Sequence, residues 1–91
     1  MIEKNVEDYF NRQVKKAGGL SRKYTSPGRR GVPDRIAIMK GRVFFVELKR
    51  PGEKPRPDQL AEHKAIAKQG VKVYVLDSKY AVDAWLENLK E

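Results

Sequence analysis

Gly31-Val32-Pro33-Asp34-Arg35-Ile36-Ala37-Ile38-Met39-Lys40-Gly41-Arg42-Val43-Phe44-Phe45-Val46-Glu47-Leu48-Lys49 reads as a β-hairpin. Ile36 and Ile38 alternate with Arg35 and Ala37, the period of a strand with two different faces. Val43 to Val46 is apolar throughout, which predicts a central strand covered on both sides. Gly41 marks a tight turn. With Lys40 and Gly41 as the two loop residues, Met39 faces Arg42, and stepping outward along the ladder sets Asp34 across from Glu47.

That register has a chemical consequence. Directly opposed residues hold their Cβ atoms roughly 4.5–5.5 Å apart, and like charges there repel. Two carboxylates so placed favour a cation between them, and Mg²⁺ suits one or two carboxylates plus substrate phosphate. Lys49 is two residues beyond Glu47 and shares its face. The plainer alternative is that Asp34 and Glu47 are solvated strand ends and Lys49 pairs with one of them.

Composition narrows the choices. Ninety-one residues hold one small domain, 1–91, without a second core. There is no cysteine and a single histidine, so neither a disulfide framework nor a thiolate or histidine-rich metal site can form. Any metal must be held mainly by carboxylates and carbonyls. No apolar run is long enough for a membrane span, and Glu3 and Glu7 argue against a signal peptide, so a cytoplasmic protein without a membrane partner is expected. Net charge is +8, unevenly placed: between Arg12 and Val46 the only acid is Asp34 among many lysines and arginines. A basic field around one carboxylate attracts nucleic acid. A merely soluble basic protein is the alternative.

The flanking segments read in order. Ile2 to Ala17 predicts an amphipathic helix with Val6, Phe10 and Val14 on its apolar stripe, ended by Gly18-Gly19. Leu20 to Ser26 predicts an edge strand. Ser26-Pro27-Gly28-Arg29-Arg30-Gly31 is a loop in which Arg29 and Arg30 can contact phosphates bidentately, or simply be solvated. Arg35 is a third candidate phosphate contact. Pro57 suits the first position of a helix running to about Gln69 and stopped by Gly70. On this reading Gln59 and His63 are ordinary helix residues. Val71 to Leu76 predicts a buried strand, and Ser78 a cap for a last helix over Lys79 to Leu89 with Val82, Trp85 and Leu86 inward.

The hairpin also carries a family likeness. Gly31-Val-Pro33-Asp34, then Glu47-Leu48-Lys49, then Gln59 on the next helix resembles the VRR-NUC branch of the PD-(D/E)xK nucleases. The likeness spans nearly the whole chain. It implies an α/β fold, an αβββαβα core with a mixed four-stranded sheet flanked by helices, and the long crossover before the last strand suits its parallel connection. It implies Mg²⁺ or Mn²⁺ held by Asp34, Glu47 and the Leu48 carbonyl, Lys49 acting on the attacking water, and Gln59 positioning water, substrate or Lys49. It implies a glutamate from the first helix: Val6-Glu7, Phe10, Val14, Gly18 is similar in spacing to archaeal-type Holliday junction resolvases, with Glu3 the alternative one turn earlier. The implied activity is structure-specific cleavage of DNA, branched DNA above all, by a homodimer without a nucleotide cofactor, of the stand-alone bacterial or phage-encoded kind. A nuclease of other DNA structures, or a non-catalytic nucleic-acid-binding module on the same scaffold, is the alternative.

Overall fold

The computed structural model describes residues 2–89, with side chains from residue 5 onward. The Glu3 side chain therefore lies outside the described residues. The order is α1 (Ile2–Lys16), β1 (Leu20–Lys23), β2 (Arg35–Met39), β3 (Arg42–Leu48), α2 (Pro57–Lys68), β4 (Val73–Leu76) and α3 (Lys79–Asn88). The four strands form one sheet in the order β1-β2-β3-β4. The first two pairings are antiparallel and the third, across the α2 crossover, is parallel.

The hairpin register is the expected one. Met39 pairs with Arg42 and Arg35 with Val46. Lys40 and Gly41 both have positive φ, 51° and 76°. That is the backbone of a two-residue turn whose twist matches the flanking strands.

Alternation then divides the sheet into two faces. Ala37, Met39, Phe44, Val46, Leu48 and Leu76 face α1 and α3, and with Val6, Phe10, Val14, Val82 and Trp85 they make the core. Trp85 is its hub. Its ring centroid lies 5.5 Å from those of Phe10 and Phe44 and 5.9 Å from that of Tyr74, the separations at which tilted and edge-on rings attract. The α3 N-terminus is capped as expected, Ser78 Oγ accepting the Ala81 N–H at 3.0 Å.

Several expectations need correction. β3 is central but not covered on both faces: Val43 is 54% exposed. On β2 the small Ala37 is buried and the larger Ile38 is exposed, because helices lie over the Ala37 side while α2 contacts β4 rather than the β1–β2 half. β1 is shorter than Leu20 to Ser26. The Tyr24 N–H still bonds to the Asp34 carbonyl at 2.9 Å, and beyond it the chain turns off through Pro27 and Gly28, leaving no partner strand. β4 begins at Val73 because the Val71 N–H is engaged by the Ile66 carbonyl at the end of α2. It is an edge strand, and only Leu76 of it is buried.

Candidate active site

β2 and β3 deliver Asp34 and Glu47 to the open end of the hairpin. The Asp34 Oδ2 accepts the Leu48 N–H at 2.9 Å, which ties the residue just before β2 to the last residue of β3. Glu47 alternates with Val46 and Leu48, so its side chain leaves the main core and meets α2. There it is 1% exposed. Gln59 Nε2 donates to Glu47 Oε2 at 2.7 Å, and Lys49 Nζ lies 3.5 Å from the same oxygen. Gln59 also accepts the Arg56 N–H at 2.8 Å, which anchors it in the first turn of α2.

The other carboxylate oxygen, Glu47 Oε1, is buried and has no hydrogen-bond partner among the described residues. Burial first, and then the negative charge of Asp34, push the Glu47 carboxyl up to about 7, while Lys49 pulls it down. A carboxylate held in such surroundings favours either a proton or a cation. His63, one turn beyond Gln59, brings Nε2 to 3.8 Å from Oε1. Burial lowers the imidazole pKa.

On the other side of the hairpin end lies a polar cleft of about 380 Å³, lined by Glu7, Lys23, Tyr24, Arg29, Asp34 and Leu48 among others. α1 supplies Glu7, whose Oε2 is 3.3 Å from Arg35 Nη1. Arg35 faces α1 because it alternates with Ile36, and its Nε donates to Ser21 Oγ at 3.1 Å. Ser21 in turn donates to Asn11 Oδ1 at 2.8 Å.

The donor set fits a hard divalent cation. Two carboxylates and the Leu48 carbonyl would offer it oxygen, one carboxylate oxygen is buried without a hydrogen-bond partner among the described residues, and Mg²⁺ needs only one or two carboxylates. Among the described residues no three His, Cys, Asp or Glu side chains converge into an all-side-chain metal site.

No family model matches the chain. Over 78 residues it is 50% identical to the "Putative nuclease p44" of Acyrthosiphon pisum secondary endosymbiont phage 1, covering 85% of this chain and 84% of that one. A solved "VRR_NUC domain" superposes with a TM-score of 0.90 at 38% identity, covering 96% of each chain. The chain belongs to the VRR-NUC family of nucleases.

In this VRR-NUC chain Glu47, Lys49 and Gln59 come together, Asp34 is tied next to them through the Leu48 N–H, and Glu7 borders the adjoining cleft with Asp34. Arg29 overhangs that cleft but is also paired to α2, Nη2 lying 2.9 Å from Glu62 Oε1. Arg30 is exposed, 3.9 Å from Asp58. Arg35 is mostly buried and turned to Glu7 rather than outward. The sequence singles out neither Lys23 nor Tyr24 as a site residue, and presents His63 as an ordinary helix residue. The first two sit at the end of β1 where the arginine loop departs. His63 is four residues from Gln59, hence on the same helix face.

Proposed function

We propose that this VRR-NUC nuclease is a Mg²⁺- or Mn²⁺-dependent DNA endonuclease, specific for branched DNA, that resolves four-way junctions as a homodimer. What supports the metal-dependent chemistry is one observation: Glu47 is buried within reach of the Asp34 charge, with one oxygen held by Gln59 and Lys49 and the other without a hydrogen-bond partner among the described residues.

Asp34, Glu47 and the Leu48 carbonyl would hold the ion. A divalent cation bound there makes water more acidic and neutralises charge on the scissile phosphate. Lys49 carries its ammonium beside Glu47, where it orients the attacking water and stabilises the charge of the pentavalent transition state. Gln59 fixes Glu47 against α2. Glu7, held by Arg35, accepts a hydrogen bond from water on the cleft side. Arg29 and Arg30 contact the DNA backbone, and both must exchange a carboxylate partner on α2 for phosphate.

A homodimer is supported by the open face of the sheet. Leu20 pairs with Ile38 and Ile38 with Val43, and this row is exposed on a chain of net charge +8. A second copy covers such a row where phosphates do not, and an isologous dimer matches the symmetry of a four-way junction.

The test is cleavage of a labelled four-way junction, flap, duplex and single strand with Mg²⁺, Mn²⁺ or EDTA, with Asp34→Asn in parallel. Paired metal-dependent cuts on the junction, reduced at least 100-fold in the variant, are expected. Cuts on flap or duplex alone remove the resolvase reading, and tight binding without cleavage removes the enzyme.

A further inference from the structure

Among the described residues Glu47 is gripped on one oxygen. Gln59 Nε2 and Lys49 Nζ both lie on Oε2, at 2.7 and 3.5 Å. Oε1 and His63 Nε2 are both buried, and among the described residues neither has a hydrogen-bond partner. These two atoms face each other at 3.8 Å. The His63 side chain is 12% exposed.

A carboxylate fastened at one oxygen still turns about its terminal bond, because that torsion is broad and shallow. A donor on the second oxygen removes the rotation. Oε1 has two lone pairs, so it can accept a hydrogen bond and still ligate a cation. A neutral imidazole carries one N–H, and the nitrogen aimed at the carboxylate is the one that gains by carrying it. The separation is long for a hydrogen bond, and contacts of this kind tighten when the site is loaded. α2 supplies the geometry: Gln59 and His63, four residues apart, reach the two oxygens of one carboxylate from one helix face.

We propose that His63 is a positioning residue for Glu47: its Nε2–H donates to Oε1, completes the α2 clamp begun by Gln59, and fixes the orientation of the carboxylate that would hold the metal. This rests on the metal-dependent reading above.

The experiment is Mn²⁺ titration of the full chain, followed by the paramagnetic signal of free Mn²⁺, for wild type, His63→Leu and His63→Gln, with melting curves of each. Removing such an outer partner typically weakens metal binding about 10- to 100-fold. His63→Leu is expected to lose about tenfold or more, and His63→Gln, which keeps a donor, to stay within about threefold of wild type. In cleavage assays His63→Leu lowers kcat and leaves the KM for DNA nearly unchanged, as a group that touches metal geometry and not DNA should. Wild-type affinity in His63→Leu overturns the proposal, and so does a loss in His63→Gln as deep as in His63→Leu. If the leucine variant does not fold, His63→Ala is read by the same criteria. A wild-type chain that binds no Mn²⁺ overturns the metal-dependent function itself, so the two failures are told apart.

Discussion

Glu47 links the chemistry of the site to the stability of the chain. Its carboxyl is pushed up to about 7 by burial and by Asp34. Below about pH 4.5 a glutamate is protonated folded or unfolded. Between there and about 7 only the folded chain keeps the proton, so stability falls as pH rises through that window. Relative to Glu47→Gln, metal-free wild type is expected to melt progressively lower from pH 5 to 7.5. Mn²⁺ should raise the melting temperature of wild type and leave the variant unmoved. Parallel melting curves across the range would falsify the buried-carboxylate account. Cleavage should rise with pH along a limb that ends at or below about 7, since the cation competes with the same proton.

How far such residues could be read beforehand depends on what fixes them. The placement of Asp34, Glu47 and Lys49 at one end of the hairpin was legible because a two-residue turn sets the hairpin count. Gln59 was legible only through the family likeness, since nothing local to α2 distinguishes it from a solvated polar residue. His63 was not legible, because its meaning depends on where α2 lands on the sheet. Arg35 is a candidate phosphate contact by charge alone, and strand alternation turns it toward Glu7.

Among the elements, the loop before Asp34 and the start of α2 are built against each other. Gly31 has φ +83°, and a Cβ there would sit 2.5 Å from the Asp58 carbonyl oxygen. Gly28, in the same loop, has φ +80° but no atom within 4 Å of such a Cβ. Gly28→Ala therefore suffers backbone strain alone, whereas Gly31→Ala suffers strain and a collision with helix backbone. In urea unfolding Gly28→Ala should cost about 1 kcal/mol and Gly31→Ala about 1–3 kcal/mol more. Equal losses would show that the close approach to α2 is unimportant. The periodicities gave α1, α2 and α3 nearly to the residue. They erred on β4 and on the outer side of β3, because alternation says which residues share a side and not which side another element covers. Ile38 and Val43 look like core by type and are left bare by the placement of α2.

That bare row matters to the assembled protein. Sedimentation should give a dimer at micromolar concentration, and Val43→Glu a monomer with an unchanged circular dichroism spectrum. Because Val43 lies at the turn end of the hairpin, distant in the ladder from Glu47, the monomer should keep nicking activity and lose paired, near-simultaneous cuts. A wild-type monomer at that concentration removes the symmetric mechanism. Among the described residues no helix is long and apolar enough to cross a membrane.

The Lys40–Gly41 turn touches none of the site residues, yet it is the origin from which their positions are measured. Every rung of the ladder is counted outward from it, until one strand hands over Asp34 and the other Glu47. A one-residue insertion there changes no catalytic side chain and still slips the alignment, so that Val46 or Leu48 comes up opposite Asp34 and the carboxylates part to different faces. Spelling errors at this remote corner are therefore frame errors for the chemistry, and the length of the turn is as constrained as the acids themselves.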